Sequence, residues 1–481
     1  LLNPCLRRLL TVPRANPAGR ISLYKVQAGD LREYMKSRIS FLLCIVLAVN
    51  ASGQQVPVKG IPPGYEIRMK RYVDSLRIID THEHLLDPEI IKKSFFLDFS
   101  LLFQQNGFDD LLSAGMPSSY YDKFFNDSIS PLDKWNLIEP YWNNSFNTSF
   151  NRIIISSIRS LYGFDDLNAS TVGPLSEKIR RVYETDWFNR ILKDSCRIDY
   201  IIIDGNQLSP KGENILSARR FESWLNVRSK YTIDSIAIMQ LDPIYTLEDF
   251  VKSLTIDFEK ELKDGMSVVK IFSSYYRTLS FEKTETDAAR KVFRSLLTGD
   301  EDLVISLRDA KPLQDYLMHH LMSLARKYRL PVAIHTGIQA GLGKIIGNSN
   351  PELLANLFND YPDVNFVLYH GSYPFGGELS ALAKNHRNVY IDLNWMYSIS
   401  PTYSERYLNE WLEMVPVSRI MAFGGDCAVA ENVYSELKLA KKIIVNVLSD
   451  KISEGYFSEA EARNVARMIL HDNAARLYNL R

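Results

Sequence analysis

The chain has 481 residues, 46% of them hydrophobic, and its 57 Lys and Arg are balanced by 57 Asp and Glu. That length accommodates one large α/β barrel with insertions, and zero net charge without a long basic run argues against nucleic acid as the main partner. Four widely spaced cysteines, Cys5, Cys44, Cys196 and Cys427, fit neither a zinc knuckle nor a disulfide framework.

Residues 1–34 do not begin with Met and are expected to be upstream translated sequence outside the native chain. Met35-Lys36-Ser37-Arg38 supplies a basic start, Phe41 to Val49 a short apolar core, and Val49-Asn50-Ala51 small residues at a cleavage point. Residues 35–51 are therefore read as a secretory signal peptide, which makes the mature protein secreted or periplasmic, and the apolar run is too short for a membrane span. The competing reading is an organellar transit peptide, because Arg7, Arg8, Arg14 and Arg20 precede the first acid, Asp30.

A Pro/Gly-rich approach, Pro57 to Pro63, leads into a predicted helix from Gly64 to Arg77, and residues 64–481 are expected to form the barrel. Apolar, β-branched runs predict strands at 77–82, 198–204, 234–241, 267–272, 331–335, 365–370, 389–393 and 420–424. Leu313 to Tyr328 and Pro351 to Asn359 carry helical periodicity between the later strands. Eight buried strands alternating with helices point to a parallel sheet closed as a (β/α)8 TIM barrel. The stretch between the first two strands, residues 86–194, is far longer than a crossover helix needs. Its aromatics, among them Trp135, Trp142, Phe150 and Trp187, predict a helical insertion over the barrel mouth, with most of them filling an accessory core.

Four of these strands end in metal-type ligands. They are Asp80-Thr81-His82-Glu83-His84, Ala333-Ile334-His335, Leu368-Tyr369-His370 and Gly424-Gly425-Asp426. Side chains alternate along a strand, so His82 and His84 share one side and Glu83 faces the wall, where it orients a neighbour. A lone histidine at a strand end is more often a hydrogen-bonded structural residue than a ligand. Five such groups at four strand ends, on the face where barrels of this type carry their active sites, point to a metal centre.

The order of these groups, HxH on strand 1, His after strands 5 and 6 and Asp after strand 8, resembles the amidohydrolase superfamily. Within it, the chain is similar to the branch holding uronate isomerase-like proteins, metal-dependent decarboxylases and the amidohydrolase-like domain fused to glutamine synthetase in nodulin-type proteins. Thr81 to Leu85, Lys270 to Leu279, Pro331 to Gly337, Tyr369 to Pro374, Asn388 to Leu393 and Ile469 to Tyr478 carry the likeness. The resemblance implies that His82, His84, His335 and Asp426 bind a divalent metal, zinc first and manganese as the alternative. Asp426 would also accept a proton from metal-activated water, and His370 would serve as general acid/base, or as a ligand in two-metal members. Lys270 would be a carbamate bridging two ions in binuclear members; otherwise it is a cationic substrate contact or a structural ion pair, and one ion is expected. Arg277 is placed either to hold a substrate carboxylate or as an ordinary surface arginine, and Trp395 to line the substrate pocket.

The expected activity is hydrolysis of a small amide, lactone or ester, with a decarboxylase or uronate isomerase-like reaction on the same site as the alternative. The expected partner is a small-molecule substrate, and a homo-oligomer is compatible with the chain. Gly337 to Gly347 is glycine-rich but lacks the P-loop pattern. His319, His320, His386 and His471 fall on helical patterns away from strand ends, and Cys427 is expected to point away from the metal.

Overall fold

The computed structural model describes residues 64–480, except 94–96, 105 and 206–207. The upstream segment, the leader, Cys5 and Cys44 lie outside the described residues. Helix α1 (Tyr65–Ser75) buries Met69 and Val73, one helical turn apart, and delivers the chain to the first strand.

Eight strands follow, β1 (Ile78–Glu83), β2 (Ile198–Asp204), β3 (Ile215–Arg220), β4 (Met266–Ile271), β5 (Val332–Ile334), β6 (Phe366–Leu368), β7 (Val389–Asp392) and β8 (Ile420–Met421). They pair in sequence order and every pair is parallel. Between β8 and β1 the circle is drawn together by backbone bonds at the strand ends. Thr81 N–H donates to the Phe423 carbonyl (3.1 Å), Asp426 N–H to that of His82 (2.9 Å) and His84 N–H to that of Cys427 (3.0 Å). The fold is the TIM barrel that eight buried strands require.

The long connection between β1 and β2 is helical, with α2 (Asn106–Ser113), α3 (Pro131–Ser145), α4 (Ser149–Ser157) and α5 (Val172–Tyr183). It has its own core, in which Phe99, Phe103, Phe124, Trp135, Trp142 and Ile154 pack together. Ala428 and Val429, just beyond β8, belong to the same core and tie it to the barrel mouth.

One strand expectation is corrected. Residues 234–241 form most of a helix, α6 (Lys230–Gln240), capped by the Ser229 hydroxyl accepting from Thr232 N–H (3.2 Å). Ile233 and Ile236 are buried at helical spacing, while Ile238 and Met239 are exposed, so the apolar run is not a buried strand. The third strand is β3, which needs only Leu216 and Ala218 to face the interior because β2 and β4 supply its backbone partners. Its closing Arg219-Arg220 gives it the look of a surface segment.

Beyond β4, α7 (Leu307–Tyr328) covers the barrel with a buried face running from Leu313 to Ala325. After β8, α8 (Ala430–Ser453) and the short α9 (Asn473–Leu477) end the described chain. Inside the barrel Ile79, Ile202, Val268, Val367 and Met421 pack with Ala474, Leu477 and Tyr478, which plug the end where the strands begin. The Asn473 amide fixes that plug by donating to the Val417 and Ile420 carbonyls (2.7 and 2.8 Å).

Candidate metal centre

The ligand-bearing strand ends meet at one point. Nε2 of His84 lies 3.2 Å and Nε2 of His82 3.5 Å from the same oxygen of Asp426, and Nδ1 of His370 lies 3.8 Å from its other oxygen. His84 Nδ1 is 2.7 Å from the Asp204 carbonyl, which keeps a proton on Nδ1 and aims Nε2 at Asp426. His335 and His370 touch through Nδ1 and Nε2 at 2.9 Å, and each has its other nitrogen on a carbonyl, Ile338 (2.8 Å) and Asn394 (3.2 Å).

A proton count shows what this arrangement lacks. The chain of three contacts between two carbonyls requires three protons, but two neutral imidazoles carry only two. Burial lowers the pKa of both rings, His370 to about 4, so neither readily takes the third proton. Two lone pairs therefore face each other, beside two more imidazole nitrogens on a carboxylate oxygen. Burial opposes charge on Asp426, yet the imidazoles of His82 and His84 hold it well below the usual carboxylate range. Nδ1 of His82 is buried without a hydrogen-bond partner. Converging nitrogen lone pairs and an ionised carboxylate suit a divalent cation.

Backbone strain marks the same residues. His370, Trp395 and Asp426 have φ of 63°, 59° and 53°, in the left-handed region that costs a side-chain-bearing residue about 1 kcal/mol. Glu83 holds the Asp426 turn from behind, accepting from Gly425 N–H (2.9 Å) and Cys427 N–H (2.6 Å). A β-carbon on Gly425 would collide with the Glu83 carboxylate, so only glycine permits this approach. Cys427 turns back onto the Gly425 carbonyl (3.2 Å) and takes no place in the site.

A cavity of about 190 Å3 opens over these groups. Lys270 lines it, with Nζ 3.6 Å from Asp204 and 3.9 Å from the centre of the Tyr369 ring. Arg220 grips Asp204 with two hydrogen bonds (2.6 and 2.8 Å) and covers the Phe272 ring. Tyr275 and Trp395 add aromatic wall, and Asn106 of the insertion reaches in to donate to the Asp426 carbonyl (3.3 Å). Ligand atoms of His82, His84 and Asp204 lie within 4.8 Å of one another, so Asp204 is a second carboxylate within reach of the imidazole pair. Its oxygens already face Arg220 and Lys270, whereas those of Asp426 face three imidazoles.

An amidohydrolase family profile matches residues 300–480. A 214-residue stretch, 43% of the chain, is 29% identical to protein fluG of Emericella nidulans, of which it spans 25%. Among solved structures, uronate isomerase of Thermotoga maritima superposes with a TM-score of 0.69 at 15% identity, covering 86% of this chain and 97% of that one. Glucuronate isomerase of Caulobacter crescentus gives 0.70 at 17% identity, covering 89% and 97%. Residues 300–480 thus carry the amidohydrolase match, and the two solved structures share the barrel fold.

The barrel brings His82, His84, His335, Asp426, Lys270 and Trp395 to one cavity, with His370 buried behind His335. Arg277 is elsewhere, which corrects both readings of it. It is buried, its guanidinium bound to Asp315 (2.6 Å), Gln314 (3.0 Å) and the Ser280 carbonyl (2.8 Å), with no face toward the metal centre. Arg220, not Arg277, is an arginine that lines that cavity. Asp204, Arg220, Tyr275 and Asn106 escaped the sequence reading. Asp204 alone left a signal, an acid closing an apolar strand in the manner of the other ligand segments.

Proposed function

We propose that the protein is a metal-dependent hydrolase acting on a small amide, lactone or ester. The observation that carries the reading is the convergence of His82 and His84 on one oxygen of Asp426, beside the proton-deficient His335–His370 pair. His82, His84, His335 and Asp426 would hold one divalent ion, zinc or manganese, which when bound supplies an electrophile and lowers the pKa of a bound water. Asp426 is kept ionised and so can accept a proton from an attacking water. His370, its Nδ1 proton anchored on the Asn394 carbonyl, keeps a bare Nε2 beside His335 and would act as the base of general acid/base chemistry. Trp395, Phe272 and Tyr275 would enclose the substrate and exclude bulk water. The leader-like residues 35–51 support export, secreted or periplasmic, as the setting.

A second reading has its own observation. Arg220 and Lys270 place two cationic groups in the cavity wall, a setting that suits a carboxylate-bearing substrate of a decarboxylase or uronate isomerase-like enzyme. Turnover of a panel of lactones, amides, esters and uronates in 18O-labelled water separates the two. Hydrolysis puts solvent oxygen into the product; turnover without label, or with release of carbon dioxide, gives the second reading.

A further inference from the structure

Outside the barrel, α1, the turn ending at Cys196 and α8 enclose another cavity, of about 460 Å3. Lys70 from α1 and Lys438, Lys441 and Lys442 from α8 line it, against a single acid, Asp74. Lys70 and Asp74 neutralise each other at 2.5 Å, and Lys438 donates to the Ser160 hydroxyl at 3.0 Å. Lys441 is half-buried, and among the described residues no carboxylate lies within ion-pair distance of it. Burial lowers its pKa from the ordinary lysine value, with Arg197 and Lys70 pressing in the same direction against the pull of Asp74.

Helical spacing puts Lys438, Lys441 and Lys442 on one face of α8, where like charges repel. The fold thus gathers three cations around this space, Lys441 half-buried and Lys438 and Lys442 exposed, none of them held in an ion pair among the described residues. Leu437, Val445 and the Tyr434 ring supply an apolar wall, while Ser195 and Asn446 supply neutral hydrogen-bonding groups.

We propose that this cavity binds a small organic phosphate, its dianion set among Lys438, Lys441 and Lys442 and its apolar body against Leu437 and Val445. Three uncompensated cations favour a dianion over a monocarboxylate. No residue lining this cavity lines the metal centre, so the site is separate from the reaction.

Calorimetric titration of the full chain with phenyl phosphate, inorganic phosphate and benzoate tests the proposal. One phenyl phosphate should bind per chain, more tightly than benzoate. Lys441→Gln and the double variant Lys438→Gln/Lys442→Gln should each weaken it about tenfold or more, as expected for loss of a charge-assisted contact, with turnover unchanged. A His82→Asn/His84→Asn variant should bind phenyl phosphate as the wild type does. Loss of binding in that variant, with binding retained in the lysine variants, would place the anion at the metal centre and overturn the proposal. Absence of binding up to about 10 mM, a concentration at which even weak specific sites fill, would also overturn it. Tighter binding of benzoate than of phenyl phosphate would overturn the phosphate assignment.

Discussion

Lys270 shows how one residue's surroundings separate the chemistries open to it. Burial, followed by the Arg220 charge, lowers its pKa to about 8 against the pull of Asp204. The folded protein therefore releases this proton near pH 8, whereas an unfolded lysine keeps it to about 10.5. Between those values the unfolded chain binds more protons, so the unfolding free energy contributed by Lys270 rises with pH. Urea unfolding of metal-free protein at about pH 7 and about pH 9.5 should show that rise, and Lys270→Met should remove its share of it. Arg277 belongs to stability instead. Arg277→Ala leaves Asp315 buried with Lys311 as its one charged partner among the described residues, and should cost about 3 kcal/mol in the same assay while leaving KM unchanged. The histidines and Asp426 were legible because each closes an apolar run. Arg277 and Arg220 were not, because a charge following a strand looks the same whether it turns into the cavity or onto a neighbouring helix.

At the scale of elements, the insertion is held to the barrel by a buried carboxylate. Glu431, at the start of α8, accepts from Tyr162 (2.6 Å), Trp187 (3.0 Å) and Tyr183 (3.1 Å). Burial alone raises its pKa, and the three donors favour the charged form against it. Glu431→Ala strands all three donors, so limited proteolysis should cut the 98–190 region sooner, and Asn106 should lose its fixed place beside Asp426. That Asn106 and Asp109, which accepts from Gly341 N–H (2.7 Å), come from this insertion makes it part of the site's frame. The long gap after β1 and its aromatics made a helical insertion readable from sequence. The exchange of α6 for β3 was not readable, because a four-residue apolar run carries no period and β3 takes its identity from the strands on either side of it.

For the whole molecule, the decisive number is ions per chain. Elemental analysis should find one divalent ion after purification without chelator, since Lys270 is already engaged by Asp204. A second ion appearing only with bicarbonate above about pH 8, where the neutral amine is available, would identify a carbamate on Lys270. The barrel's closure has a consequence for how the protein comes into being. The two ends of the ligand set lie on opposite sides of the β8–β1 seam, and Glu83 reaches across 344 residues to hold Cys427. No nascent fragment lacking β8 can present His82, His84 and Asp426 together, so ion capture has to wait for the last strand. During refolding, metal uptake should lag behind helix formation and coincide with completion of the sheet, a slow step expected of contacts this distant in sequence. An ion held there would act as a latch on a finished ring: partly made chains would go unmetallated, and only the closed barrel would gain the stability that binding confers.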